Sequence, residues 1–345
     1  MTFFKMFDNL KEGIQILNKI MPVQLWNLIL LRISFLLSIS LRKVIHWGRP
    51  FAISIEPTTS CNLRCPECPS GLRSFSRPTG MLDYQQYTYI IDQFIPYLSY
   101  LILYFQGEPY LNPDFCNFVR YASSKNIYTV TSTNAHFLNN EKARETIESG
   151  LNKIIISVDG TDQKTYEKYR IGGNFDKVID GTSKLVYWKK KLGRKDPIIA
   201  FQFLLFKSNQ HQVAQIRELS RQLKVDRLYL KTAQIQDFDK GSPLIPDKPA
   251  FSRYKKVNDQ YIIKNKLKNK CWRSWSSTVI TWDGKVVPCC FDKDAKYVMG
   301  DLTKNDFTEI WNNQDQMKFR KQIIQSRRDI DICRNCTNGS DIWLK

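Results

Sequence analysis

Seven of the nine cysteines in this 345-residue chain fall into two tight constellations, and that distribution limits what the chain can fold around. An odd number of cysteines in a chain of this size is a poor match to a disulfide framework, so a reducing compartment is expected. The first constellation is Cys61, Cys65 and Cys68, spaced C-x3-C-x2-C in the run Thr58-Thr59-Ser60-Cys61-Asn62-Leu63-Arg64-Cys65-Pro66-Glu67-Cys68. Three thiolates so close in sequence can bind one metal cluster. A [4Fe–4S] cube takes four ligands, so three leave one iron open for a reactant. The second constellation is Cys271, Cys289, Cys333 and Cys336, with Gly284 standing x12 after the first and x4 before the second. Four ligands can close a site, and on spacing alone a tetrahedral zinc ribbon remains an alternative. Cys290 is a rival to Cys289 as ligand. Cys116 reads as a buried apolar residue in a helix, and His46, His136 and His211 are too scattered to be assigned as ligands.

The remaining sequence predicts where these sites lie. From Phe51 to about Lys231, the runs FAISIEP, YLILYF, IYTVTST, KIIISV, PIIAFQFLLF and RLYLK read as strands. Helical periodicity over 83–96, 112–125, 139–150, 174–192 and 209–224 separates them. Such alternation predicts a parallel α/β sheet, with chemistry at the C-terminal ends of its strands. Residues 232–270 read as a linker followed by a helix over 249–264. A further unit begins at Cys271, where TVITW and KVVPC flank Asp283-Gly284, a hairpin signal, and a helix over 306–326 precedes the last cysteine pair. The domain boundaries expected are 1–49, 50–231, 232–270 and 271–345.

Residues 25–41 form the most apolar stretch, interrupted by Asn27 and Arg32 and short for a membrane span of ~20 residues. Gln24, Asn27, Ser34, Ser38 and Arg42 share one narrow stripe of that helix, leaving a broad apolar face flanked by Arg42, Lys43 and Arg49. Packing on the main domain is the first reading, membrane-interfacial attachment the second. No cleavable signal peptide is expected from MTFFKMFDNLKEG. An aromatic fraction of 13% excludes a disordered chain, whereas a formal charge of +19 suits nucleic acid, an anionic membrane or an acidic substrate equally.

C-x3-C-x2-C after the first strand of a β/α domain resembles the signature of the radical S-adenosylmethionine (SAM) superfamily. The resemblance implies a partial (β/α)6 TIM-type barrel in which Cys61, Cys65 and Cys68 hold a [4Fe–4S] cluster. The open iron chelates SAM, which is reductively cleaved to a 5′-deoxyadenosyl radical that abstracts hydrogen from a substrate. Glu67 departs from the aromatic residue that many members carry before the third cysteine. Gln106-Gly107-Glu108-Pro109 resembles the family's GGEP motif, implied to receive the SAM ammonium group, with Gln in place of the first Gly. Asn134 and Ser157 resemble positions that contact the ribose and methionine of SAM, and Arg170 an arginine that pairs with its carboxylate.

The second constellation resembles the SPASM/Twitch extension of the same family, in its shorter form. The resemblance implies a small C-terminal α+β domain with one auxiliary [4Fe–4S] cluster on Cys271, Cys289, Cys333 and Cys336. The expected activity is that of a radical SAM oxidoreductase, oxidising or rearranging a small sugar-like, anionic or lipid-linked metabolite. Peptide or protein modification is the alternative, and a non-enzymatic zinc-binding nucleic-acid or scaffold protein is the rival from another class. Expected partners are the substrate, an external electron donor of flavodoxin or ferredoxin type, and peripheral membrane contact, with no nucleic acid. The expected location is cytoplasmic, with the inner membrane face as a variant of it.

Overall fold

The computed structural model describes residues 10–336 and 343–344. Six strands follow one another in parallel: β1 (Ala52–Ile55), β2 (Tyr100–Ile102), β3 (Tyr128–Thr133), β4 (Lys153–Ser157), β5 (Ile198–Leu205) and β6 (Arg227–Thr232). Two helices, α1 (Leu10–Leu17) and α2 (Pro22–Leu41), precede β1. The helices α3 (Pro69–Leu72), α4 (Tyr84–Asp92), α5 (Phe115–Ser124), α6 (Asn140–Glu148), α7 (Gln163–Glu167), α8 (Phe175–Lys191) and α9 (Val213–Gln222) fill the crossovers. Polar side chains start several of them: Asp83, Asn139 and Asn174 accept from the backbone N–H groups of Gln86, Lys142 and Lys177. These caps satisfy donors that the first helical turn leaves unpaired.

Strand register separates the two faces of the sheet. Ser54, Ile102, Val130 and Lys153 align across β1 to β4, as do Ser157, Gln202 and Tyr229 across β4 to β6. Alternate residues such as Ile53, Leu101, Ile154, Phe201 and Phe203 pack instead into the main hydrophobic core with the helices. The first set lines the concave interior, where Ile102, Ser132, Ile155, Gln202, Tyr229 and Lys231 remain partly accessible. An apolar outer layer therefore closes the fold, while a polar chamber is left inside. The α1 helix packs on this inner face: Ile16 is buried with Tyr128 and Val130, and Glu12 pairs with Lys153 at 3.0 Å.

The segment from Cys271 continues the same sheet. It comprises α10 (Arg273–Ser276), β9 (Ser277–Ile280), β10 (Lys285–Val287), β11 (Gly300–Asp301), α11 (Phe307–Trp311), α12 (Gln314–Ser326) and α13 (Asp331–Arg334). Strand β9 pairs in parallel with β1, and β10 and β11 extend the edge in antiparallel fashion. At the other edge β12 (Trp343–Leu344) pairs antiparallel with β6. Ten strands thus form one sheet, and Trp275, Phe307 and Trp311 share the main core with Ile53 and Leu101.

Two expectations require correction. Residues 249–264 hold a short 3-10 turn and an antiparallel hairpin, β7 (Tyr254–Val257) and β8 (Gln260–Ile263), where a helix was expected. Asn258 and Asp259 take φ values of 46° and 60°, which two-residue hairpin turns demand and Asn and Asp tolerate. The single helix expected over 306–326 is two: α11 ends at its C-cap Asn312, and Asn313 starts α12 by accepting from Gln316 N–H.

Candidate functional site

Cys61, Cys65 and Cys68 lie on the loop between β1 and α3, at the C-terminal end of the parallel sheet. None is in a disulfide. Local bonds curl the loop: Cys68 N–H donates to Cys65 O at 3.2 Å, and Leu63 N–H donates to Cys61 Sγ at 3.5 Å. Side chains from other crossovers also approach the sulfurs, with Arg170 Nη1 3.7 Å from Cys65 Sγ and Asn134 Nδ2 4.0 Å from Cys61 Sγ. Burial pushes the Cys61 thiol up to about 12, and the neighbouring Glu108, Cys65 and Cys68 add to that shift.

The Gln106-Gly107-Glu108-Pro109 turn presses against this loop. Glu108 N–H donates to Ser60 O at 2.8 Å, and Gly107 N–H donates to Ser70 Oγ at 2.9 Å. A side chain at position 107 would put its Cβ 2.2 Å from Thr58 O and 2.8 Å from Ser60 O, so only glycine fits this approach. The buried Glu108 carboxylate accepts from Thr133 Oγ1 at 2.7 Å, Asn134 N–H at 2.7 Å and Tyr110 N–H at 3.3 Å. It locks the end of β3 onto the turn after β2. Burial raises its pKa to about 7 against the pull of those donors.

Asn134 also donates to Asn62 Oδ1 at 2.7 Å, and Ser157 closes β4. Arg170 pairs with the buried Asp159 at 2.6 Å, whose other oxygen accepts from Leu204 N–H at 2.7 Å. The loop bearing Arg170 is tied to the cysteine loop by Arg64 N–H donating to Ile171 O at 2.9 Å. Gln106 Oε1 lies 3.9 Å from Cys68 Sγ, so Gln106, Gly107, Glu108, Asn134 and Arg170 all contact the three-cysteine loop or its sulfurs. Asp159 lies in the Ser157-Val158-Asp159-Gly160 run that resembles a SAM-contacting segment, but its pairing with Arg170 in the same crossover was not foreseen. Ser70 carried no sequence signal.

The second set gathers around two arginines. Arg327 Nη2 lies 3.0 Å from Cys336 Sγ and Nη1 donates to Lys270 O at 2.8 Å, while Arg273 Nη1 lies 3.0 Å from Cys290 Sγ. Arg273 feels Cys290, Cys289, Cys271 and Cys336, and Arg327 feels Cys271, Cys336 and Cys333, which places all five thiols around one pair of guanidinium groups. Cys290 is held down to about 5 by the bond from Cys289 and by Arg273, and Cys289 is raised in turn. Neither arginine was singled out in the sequence, although each stands two to nine residues from a cysteine of the set. His46 and His136 are spent on structure: His136 Nε2 accepts from Asn174 N–H at 2.8 Å, and His46 Nε2 bonds Trp275 O at 3.2 Å.

N–H donors directed at free sulfurs suit thiolate ligands, and both sets have them. Among the described residues no three His, Cys, Asp or Glu side chains converge tightly enough for a single ion. Both sets offer sulfur donors without a histidine or carboxylate among them, the donor type that iron–sulfur clusters take.

Beside the second set, Lys231 of β6 lies near Arg253, Arg273 and Cys290, and burial with these cations brings it down to about 8. Tyr104, just past β2, faces Cys290, Lys153 and Arg273. None of the six parallel strands carries an Asp or Glu. On the inner face the strands thus contribute Lys153 and Lys231 without a carboxylate, beside the apolar cluster of Ile16, Tyr128 and Val130, and Glu12 of α1 pairs with Lys153.

Comparison with known proteins agrees with this geometry. The radical SAM superfamily model matches residues 55–219, and the model of the SPASM iron–sulfur cluster-binding domain matches residues 271–337. The tungsten-containing aldehyde ferredoxin oxidoreductase cofactor-modifying protein of Pyrococcus furiosus is 25% identical, over 82% of this chain and 86% of its own. The S-adenosyl-L-methionine-dependent 2-deoxy-scyllo-inosamine dehydrogenase of Niallia circulans is 22% identical, over 84% and 93%. The PqqA peptide cyclase of Bradyrhizobium diazoefficiens is 24% identical, over 77% and 72%. Among solved structures, SuiB of Streptococcus suis bound to S-adenosylmethionine superposes with a TM-score of 0.59 at 14% identity, covering 85% of this chain and 73% of SuiB. BtrN in complex with AdoMet and 2-DOIA gives 0.53 at 20% identity, covering 86% and 99%. The relatives act on cofactors, sugars and peptides, so they agree on the chemistry and not on the substrate. The chain belongs to the radical SAM superfamily and carries a C-terminal SPASM domain, which makes it an enzyme whose cofactors are SAM, a [4Fe–4S] cluster and auxiliary iron–sulfur.

Proposed function

We propose that this enzyme oxidises or rearranges an anionic metabolite, small or lipid-linked, held inside the barrel between two cluster sites. In this reading Cys61, Cys65 and Cys68 hold the SAM-binding cluster, and Cys271, Cys289, Cys333 and Cys336 the auxiliary one. Gln106, Gly107, Glu108, Pro109, Asn134, Ser157 and Arg170 receive SAM. When bound, cluster and SAM together supply hydrogen-atom abstraction, and the protein supplies position. Asp159 fixes the plane of Arg170 so that one guanidinium edge stays directed at the cysteine loop. Glu108 holds the ends of β2 and β3 together, which keeps Asn134 beside Cys61. Arg273 and Arg327 offset thiolate charge at the second set.

The observation that supports an anionic substrate is the lining itself. Lys231 stands on the inner face of β6 with Arg253 and Arg273 near it, the parallel strands contribute no carboxylate, and Glu12, brought in by α1, answers Lys153. A phosphate or carboxylate entering there would meet positive charge already desolvated by the protein. Oxygen-free, reconstituted enzyme with dithionite and SAM should release 5′-deoxyadenosine and contain about eight irons per chain. Phosphorylated or carboxylated compounds should stimulate that release in the wild type and fail to do so in Lys231→Gln. Absence of 5′-deoxyadenosine would overturn the radical reading, and stimulation by neutral compounds alone would overturn the anionic one.

A further inference from the structure

The α2 helix is mounted inside out. Its polar residues face the protein: Gln24 donates to Leu98 O at 2.9 Å, Asn27 accepts from Arg49 N–H at 2.7 Å and donates to Arg49 O at 2.9 Å, and Ser38 accepts from Ile45 N–H at 2.9 Å. Apart from the buried Leu31 and Phe35, its large apolar residues face outward at helical spacing. Leu25, Trp26, Ile29, Ile33 and Leu36 form one exposed stripe, with Trp26 61% and Leu36 52% accessible. Burial of apolar surface would ordinarily turn such a helix the other way. The inward bonds show that this orientation is built.

The same bonds set the direction of the helix axis. Contacts at Gln24, Asn27, Phe35 and Ser38 pin both ends and the middle to the domain, with Phe35 packed edge-on against Trp272 and Trp275 at 5.4 Å. The helix is long and apolar enough to cross a bilayer, but a crossing pose would drag the bonded face of the domain into hydrocarbon. It can instead lie flat, its stripe facing away from the protein.

Charge identifies what the stripe meets. From Gly13 to Ile55 there is no Asp or Glu, while Lys19 precedes the helix, Arg32 lies within it, and Arg42, Lys43 and Arg49 follow it. Arg42 and Lys43 are exposed, and Trp47 stands exposed beside them. An apolar stripe bordered by cations and tryptophans complements the boundary of an anionic bilayer. Pairing with a second copy through this face would set two such cationic borders against each other.

We propose that α2 seats the enzyme flat on an anionic membrane surface, with Trp26, Ile29, Ile33 and Leu36 in the headgroup–acyl boundary and Arg42 and Lys43 on the lipid phosphates. The reading is independent of the substrate proposed above. The test is flotation of the full-length holoenzyme with vesicles of phosphatidylcholine, alone or mixed with phosphatidylglycerol. The wild type should float with the mixed vesicles, less so with pure phosphatidylcholine, and progressively less as salt rises. Trp26→Ser/Ile33→Ser/Leu36→Ser should lower partitioning by about tenfold or more, and Arg42→Glu/Lys43→Glu should remove the preference for phosphatidylglycerol. Retained 5′-deoxyadenosine release certifies that each variant is folded, and the single Trp26→Ser variant serves if the triple does not fold. Equal flotation of wild type and stripe variants would overturn the proposal. So would a wild type that ignores vesicles, whether as a monomer or as a dimer that the stripe variants dissociate.

Discussion

The two cysteine sets differ in how much chain must fold to create them. Cys61, Cys65 and Cys68 sit on one loop, and a few backbone bonds curl it. Cys271, Cys289, Cys333 and Cys336 come from three segments that meet only when the β9–β10 hairpin joins the sheet beside β1 and α12 packs behind it. Bringing distant segments together costs loop-closure entropy, which the shared core of Trp275, Phe307 and Trp311 must offset. A local site can therefore survive damage to its surroundings better than an assembled one, and its dependence on each residue is more direct.

The largest expected contrast comes from removing ligands. Cys61→Ala/Cys65→Ala/Cys68→Ala should abolish SAM cleavage and leave roughly half of the iron, about four atoms per chain. Cys333→Ala/Cys336→Ala should keep some uncoupled SAM cleavage while ending substrate turnover. Equal loss of cleavage in both variants, measured as 5′-deoxyadenosine under dithionite, would show that the second site is needed for folding and erase the contrast.

Two glycines give the next largest effect. Both hold positive φ, +73° at Gly107 and +83° at Gly284. At Gly107 the obstacles to a side chain are backbone carbonyls of the cysteine loop, whereas at Gly284 they are the ends of Gln86 at 3.0 Å and Thr303 at 3.2 Å. Gly107→Ala should cost more than about 3 kcal/mol and empty the first site of iron. Gly284→Ala should cost about 1–2 kcal/mol, read as a shift in thermal midpoint with SAM cleavage kept. Similar losses in the two variants would mean that the loop at Cys61 yields as readily as a hairpin turn.

The effect that vanishes at neutral pH concerns the seam between α2 and the C-terminal segment. His46 packs edge-on to Trp311 at 5.1 Å, and burial, with Arg320 nearby, lowers it from 6.5 to about 3. Below pH 6.5 the unfolded chain takes up a proton that the folded chain refuses, so stability is full above that pH and declines between about 6.5 and 3. The loss attributable to this group approaches about 1.4 kcal/mol per pH unit. His46→Gln should flatten the dependence of thermal midpoint on pH between 6.5 and 5, and an unchanged slope would place acid sensitivity elsewhere.

Much of the architecture was legible because its signals are local. Strand runs such as KIIISV, Asn and Asp caps, and the Asp283-Gly284 turn each act over a few residues. The segment 249–264 misled because Lys-rich, weakly apolar stretches carry little periodicity, and the Asn258-Asp259 turn decided it. At the candidate site, Cys61, Gln106 and Arg170 were marked by motif. Their supports were marked less: Asp159, within a quoted motif, was not foreseen as the partner of Arg170, while Ser70, which holds Gly107, and Arg273 and Arg327, which reach into the second set, stand at positions with no motif of their own.

What the chain determined by sequence alone is the chemistry and the order of its parts: a three-thiol loop after the first strand, a β/α alternation, and a later cysteine set around a hairpin. Those features depend on spacing and on short-range backbone preference. The tertiary structure alone decided which faces point where. It turned the polar stripe of α2 inward, lined the barrel interior with Lys153 and Lys231, and merged the C-terminal segment into the sheet of β1. Direction depends on register and on packing between segments far apart in sequence, because a one-residue shift of a strand or a quarter-turn of a helix exchanges its two faces.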